Sequence, residues 1–257
     1  MVYQISTYLK FLTKATNQHG VHSPFVFELI LHCLYNKKQF TSYSKIKEYR
    51  DALLKEKSKI SITDFGSGSR IFTSNERSVS SNAKHSGTTT KKAKILFRIV
   101  NYFKSNSILE LGTSLGMATH AMSLAKSVTK ITTIEGCPNI SKFTKSKIET
   151  LNLNKIEFIT GEFSEVIPQV RSFKYDAIFF DGNHQKEATL QYFDQLLPTI
   201  KNNSVWIFDD IYWSKDMTKA WEIIKSHPVV SVTVDTFHFG LVFFRKEQAK
   251  ENFKIRL

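Results

Sequence analysis

Residues 107–116 read SILELGTSLG, and residues 130–135 read KITTIE. A short apolar run that breaks at a glycine, passes into helical spacing and returns as a second apolar run is the opening of a β–α–β unit. Outward from it the pattern repeats. Strands are expected at 155–160 (KIEFIT), 175–181 (YDAIFFD) and 204–210 (SVWIFDD), with helices over 115–127, 138–152, 163–171 and 186–200 between them. Such alternation requires right-handed crossovers and a parallel sheet covered on both faces. After a helix near 215–226, VVSVTVDTF (229–237) and FGLVFFRK (239–246) are separated by too few residues for a crossover, so they are expected to pair antiparallel. The fold class is α/β: a doubly wound, mostly parallel sheet with a C-terminal antiparallel strand pair.

Upstream the texture is different. Residues 1–89 read as a basic helical extension or cap, and residues 90–257 as the α/β domain. Apolar positions 2, 5, 8, 9 and 12 have near-helical spacing, flanked by Lys10 and Lys14. Such a stripe docks on its own domain or lies on a membrane surface. Ser23-Pro24 marks a helix start before FVFELILHCLY, and residues 43–57 form a charged helix with Ile46, Tyr49, Leu53 and Leu54 inward. Residues 75–92 are rich in Ser, Thr, Asn and Lys, so a mobile loop is expected there. Helical period resumes over 90–104. Residues 64–70 (DFGSGSR) imitate a glycine-rich binding loop, but a poor helix follows and no strand with a terminal acid comes at the right distance; a turn in a lid is expected, where Arg70 and Arg77 could meet an acidic substrate.

The chain has 257 residues, 41% of them apolar, with fifteen Gly or Pro and a net charge of +13. Those values exclude collagen-like and low-complexity chains and leave ample material for a core. Residues 1–107 hold eighteen Lys and Arg against six Asp and Glu; residues 108–257 hold eighteen against seventeen. A positive field confined to one part of a chain attracts anions, or is simply a solvated lysine-rich surface. Cys33 and Cys137 are too few for a disulfide framework or a cysteine-built zinc site. No apolar run is long enough to cross a bilayer and no secretory signal is visible at the start, so a soluble cytoplasmic protein is expected.

In open α/β sheets, ligands bind beyond the carboxyl ends of the strands at the switch point. The first α/β strand runs into Glu110, Gly112, Thr113, Ser114 and Gly116. Gly112 permits a sharp turn, Gly116 lets the helix approach the strand, and Glu135 at the end of the next strand can accept hydrogen bonds from both hydroxyls of a ribose. The spacing E-x-G-x-x-x-G lacks the G-x-G-x-x-G triplet of dinucleotide sites. It resembles motif I of the class I S-adenosylmethionine-dependent methyltransferases, whose fold is Rossmann-like, and the likeness extends over about residues 90–246. The resemblance implies that Gly112 to Gly116 wrap the methionine part of S-adenosylmethionine. It implies that Glu135 and Gly136 hold the ribose, that Gly161, Glu162 and Phe163 border the adenine, that Glu110 acts indirectly near the amino group, and that Asp181 adjoins the cofactor.

Asp181 ends the fourth strand in FFDGNH; Asp209 and Asp210 end the fifth in WIFDDIYW. Three crowded carboxylates repel, and the remedies are a hard cation such as Mg²⁺ or Ca²⁺, a hydrogen-bond network or a raised pKa. The arrangement resembles the catechol- and caffeoyl-coenzyme-A-type O-methyltransferases. There, an acid after the fourth strand and an Asp-Asn pair after the fifth hold a divalent ion that activates the acceptor oxygen. Asp181 and Asp209 match; Asp210 replaces the Asn. The family's general-base Lys, three residues after the first acid, is here His184, with Lys186 two further on. The resemblance therefore implies metal ligands Asp181, Asp209 and Asp210 and catalytic residues Asp181, His184 and Asp209. The departures leave open a metal-free enzyme in which His184 takes the proton, and the plainer alternatives that Asp209 bonds a backbone amide and Asp210 a lysine. Tyr212 and Trp213 form an apolar wall for the acceptor or pack under the next helix; Trp206 reads as core.

The expected acceptor is a small-molecule hydroxyl, anionic if the basic part serves it. Methylation of nucleic acid or protein is the rival reaction; no nucleic-acid module and no N-P-P-Y-like tetrapeptide follows the fourth strand, so nucleic acid is not the expected partner. A non-catalytic cofactor binder, or a module touching membranes through its basic N-terminal part, is the other rival.

Overall fold

In the computed structural model, which describes residues 2–63, 76–85 and 87–257, the chain order is α1 (Val2–Lys14), α2 (Pro24–Leu29), α3 (Ser42–Lys55), β1 (Lys59–Ser61), β2 (Glu76–Ser78), α4 (Val79–His85), α5 (Thr90–Tyr102) and β3 (Ser107–Leu111). There follow α6 (Met117–Ser123), β4 (Lys130–Glu135), α7 (Pro138–Glu149), β5 (Ile156–Thr160), α8 (Phe163–Val170), β6 (Ala177–Phe180) and α9 (Lys186–Leu196). The last elements are β7 (Val205–Asp209), α10 (Lys215–Ser226), β8 (Val232–Asp235), β9 (Phe239–Phe243) and β10 (Glu251–Lys254). The 64–70 glycine-rich stretch, with Arg70, lies outside the described residues; Arg77 sits on β2 opposite Ile60.

Among the described residues, eight strands form one sheet in the order β10-β8-β9-β7-β6-β3-β4-β5. Strands β3 to β7 are parallel, as the alternation requires, and β9 runs antiparallel between β7 and β8. The expected hairpin is therefore present, with its second strand inserted into the sheet. This is the doubly wound, Rossmann-like α/β fold. One strand was not anticipated: β10 pairs parallel with β8 and continues to a bridge between Ile255 and Thr16. Its sequence, ENFK, has a single inward apolar side chain, too weak a period to read.

Alternate residues of each strand enter opposite layers. Ile108, Ile131, Ala177, Phe179 and Ile207 face a layer built from α2, α3, α5, α6 and α7. Leu109, Leu111, Ile134, Ile178, Phe180, Trp206 and Phe208 face α8, α9 and α10. Trp206 is thus core, as read. The N-terminal helices share these layers: Leu29, Ile30 and Ile46 are fully buried in the first. Ser23 caps α2, its side chain accepting from the Val26 amide with Pro24 in the first turn, as the sequence indicated. Helix α1 docks through Phe11, and through Tyr8 against Phe237 at 4.7 Å, leaving Val2, Ile5 and Leu9 exposed. No helix among the described residues is long and apolar enough to cross a membrane.

Residues 76–85, read from composition as loop, form β2 and α4. Buried Val79, Asn82 and Ala83 seat α4 against α3, so tertiary packing overrides a polar composition that would not hold a helix alone. Both cysteines are buried free thiols.

Replacing Ile46, buried in α3, with Ala is expected to lower the unfolding free energy by about 2–5 kcal/mol. Trp206, Trp213 and Trp221 all lie in the C-terminal part. Their fluorescence transition in denaturant should move together with circular dichroism; a fluorescence midpoint that stays in place would show that the N-terminal helices unfold separately.

Candidate active site

The site is assembled where β3 and β6 lie side by side and their helices depart to opposite faces. Gly112, at φ +102°, carries the chain off β3, and a Cβ there would run into the Asp181 carbonyl. Its amide and that of Thr113 donate to the Ile134 carbonyl at 2.9 and 3.2 Å. Gly116, at φ +74°, starts α6, and a Cβ there would press on Thr144, Ile148 and Tyr49. The turn is clamped from outside: the Tyr49 hydroxyl donates to the Leu115 carbonyl at 2.9 Å, and the Thr144 hydroxyl to the Ser114 carbonyl at 2.6 Å.

Glu110 is fully buried below this turn. Its Oε2 accepts from Thr119 at 2.5 Å and Thr133 at 2.6 Å, while Oε1 is buried with no hydrogen-bond partner. Burial pushes its carboxyl up to about 7, against the pull of the two threonine hydroxyls. Glu135 closes β4; its two oxygens accept the Ser114 and Cys137 amides, each at 2.9 Å. Gly136 separates Glu135 from Cys137 in the chain, and the Gly161 amide donates to the Glu135 carbonyl at 3.0 Å. Glu162 precedes α8 as its cap residue, and the Phe163 ring packs edge-on against Tyr192 at 5.5 Å and beside Gly182. The residues named for the cofactor thus come from four strand ends to one rim.

Beside them stand the three acids and a cation that the sequence reading passed over. Lys92, from the first turn of α5, reaches Asp209 Oδ1 at 2.6 Å and Asp210 Oδ1 at 2.9 Å. Thr88, just before α5, donates to Asp181 Oδ2 at 3.5 Å, and His184 Nε2 lies 3.9 Å from Asp181 Oδ1. Burial, then Asp209, holds Asp181 well above the usual carboxylate range. Burial and Asp210 also raise Asp209. Burial would raise Asp210 too, but Lys92 and then His184 outweigh it and bring it below that range. Burial alone would lower Lys92; Asp209, Asp210 and Asp181 overcome it and hold the ammonium above its ordinary pKa. Backbone strain gathers here: Ser114, Asn183, His184 and Asp210 all have positive φ.

A divalent ion on Asp181, Asp209 and Asp210 does not fit these residues. The ammonium stands against two of the three carboxylates, at 2.6 and 2.9 Å, so an ion held by those carboxylates would meet a like charge beside its own ligands. Among the described residues no group of three His, Cys, Asp or Glu side chains is arranged to hold a metal. The plainer alternatives hold: Asp209 Oδ1 accepts the Asp210 amide at 2.9 Å, and Asp210 pairs with a lysine. Tyr212 is not an acceptor wall. It is buried, stacks on Phe237 at 4.9 Å and donates to Asp235 at 2.5 Å. Trp213 is half-buried, its ring 6.1 Å from that of His184. His238 is near enough to Lys92 and Asp210 to feel both; burial and Lys92 lower its pKa.

One signal for Lys92 was in the sequence. Lys92, Leu96 and Ile99 fall on one helical row, and both apolar members are fully buried, so a lysine there must either snorkel or find an acid. Nothing local pointed to Asp209 as that acid.

Residues 109–211 match the family model described as a methyltransferase domain. The matched segment runs from within β3 to just past the end of β7. Solved methyltransferase structures share the fold at low identity. The SAH-bound methyltransferase PaMTH1 of Podospora anserina aligns with a TM-score of 0.59 at 12% identity, over 88% of this chain and 97% of that one. An O-methyltransferase from Bacillus cereus, in complex with SAH, gives 0.54 at 19%, over 80% and 92%. The O-methyltransferase TomG of Streptomyces achromogenes, in complex with SAM, gives 0.55 at 14%, over 86% and 95%. No curated protein sequence matches significantly.

Within the matched segment, Glu110 gives a pH-dependent prediction. Its unfolded carboxyl ionises near the ordinary 4.5 and burial pushes the folded one up to about 7, so across that window the folded chain keeps a proton the unfolded chain has released. Stability falls as pH rises through the window. Glu110→Gln, which cannot ionise, should gain on the wild type between about pH 5 and about pH 8, by on the order of 3 kcal/mol. Urea denaturation at the two pH values reads it, and an equal effect at both would refute the buried, raised carboxyl.

Proposed function

We propose that the chain transfers a methyl group from S-adenosylmethionine to a hydroxyl of a small molecule. The observation that carries this reading is the juxtaposition, across the switch point between β3 and β6, of a glycine turn flanked by Glu110 and Glu135 with a rim bearing Asp181, His184, Lys92 and Asp209–Asp210. The residues present fit the cofactor. The turn is bare of side chains where a Cβ would collide, and Glu110 Oε1 is a buried acceptor with no protein partner. Gly112, Thr113, Ser114 and Gly116 would hold the amino-acid end, Glu135 and Gly136 the ribose, and Gly161, Glu162 and Phe163 the base. The bound cofactor supplies a methyl group already activated by a sulfonium charge.

What remains for the chain is to align the acceptor, exclude water and take one proton. His184 suits the last task. It stands at the rim 3.9 Å from Asp181, and Asp210, which Lys92 and His184 hold below the usual carboxylate range, can steady the imidazolium that forms. Asp181 itself is a poor base, because burial beside Asp209 already favours its protonated form. The oxygen as acceptor atom follows the SAH- and SAM-bound O-methyltransferases that share the fold.

Calorimetric titration with S-adenosylmethionine and S-adenosylhomocysteine tests the cofactor half. Glu135→Ala should weaken binding by more than ~1 kcal/mol, because charge-assisted hydrogen bonds are lost; no heat with either ligand on the wild type would end the proposal. Transfer of a labelled methyl group to a panel of hydroxylated small molecules tests the other half. On any acceptor found, His184→Ala should lower kcat by about 10²–10⁴-fold while cofactor affinity stays as it was. Transfer confined to RNA, DNA or protein would favour the rival reaction.

A further inference from the structure

We propose that Lys92 is the resident cation of the acid rim, filling the place a divalent ion would take, so that this rim binds no divalent metal. The inference rests on the reading of the rim as the acceptor side. Three observations converge. The ammonium contacts the two acids that end β7, at 2.6 and 2.9 Å. It is enclosed, with its side chain 17% exposed and its charge 5.6 Å from the centre of the Phe239 ring. It is also held from behind: the Thr89 side chain accepts the Lys92 amide at 3.3 Å and caps α5, so the side chain enters the rim from a fixed helix end.

An ammonium differs from a divalent ion in what it can do. It carries one charge and donates hydrogen bonds; it has no open coordination position. It can order Asp209 and Asp210 and present a hydrogen bond toward an acceptor oxygen, but it acidifies that oxygen far less than a bound metal does. Proton removal therefore falls to a side chain, and His184 stands where it can take the proton. Lys92 acts here as a positioning residue, setting the charge and geometry of the acids.

Paramagnetic resonance titration with Mn²⁺ tests this without cofactor or acceptor, so its failure is distinct from failure of the methyl-transfer proposal. The wild type should leave added Mn²⁺ free up to millimolar concentration. K92A and K92M uncover the carboxylates with no cation, and whichever folds should bind Mn²⁺ about tenfold or more tightly than the wild type. D209N introduced on K92A should remove that gain. Mn²⁺ bound by the wild type and lost in D209N would overturn the proposal, as would a folded Lys92 variant with no gain. Should neither variant fold, the wild-type titration still decides.

Discussion

The close approach of Gly112 to the carbonyl of Asp181 is the contact on which the site depends. The Asp181 amide donates to the Leu111 carbonyl at 2.8 Å, extending the β3–β6 ladder one step past the strands. Beyond that step the chains part, one into the glycine turn and one into the acid rim. Any side chain at Gly112 would push them apart. The glycine turn and the acid rim are neighbours because this one residue has no Cβ.

Charge is distributed on a finer scale than the chain's total. The net balance is +13, yet the rim at the strand ends is acidic: Glu110, Glu135, Asp181, Asp209 and Asp210 against Lys92. Such a rim suits a cationic sulfonium, which the total charge would not suggest. The acids are not equivalent. Glu110 and Asp181 are held toward their neutral forms by burial, while Asp210 is held anionic by Lys92 and His184. The rim thereby avoids gathering five full negative charges in little space, a remedy made of one ammonium and shared protons.

The N-terminal helices act on the site through packing. Tyr49 of α3 holds the glycine turn, Arg50 donates to the Thr88 carbonyl at 2.9 Å, and α5 delivers Lys92. A region whose sequence suggested only a basic cap thus supplies the clamp of the cradle and the cation of the rim.

Strand and helix order, the glycine turn and the acids at the strand ends were legible because each is written in contiguous residues, as a period of alternation, a glycine between an apolar run and a helix, or a carboxylate closing a strand. The helix over 76–85 and the strand at 251–254 were not legible, since their few apolar residues gain meaning only from the surfaces they meet. The partner of Asp209 was decided by tertiary structure alone. Lys92 lies 117 residues upstream of it, and although its helical row marks it as the inward lysine of the run 91–94, no local pattern encodes which acid it meets. Only when α5 packs over the sheet, with Lys92 above Phe239 of β9, and β6 and β7 are laid in register, do that helix's first turn and those carboxylates share one edge.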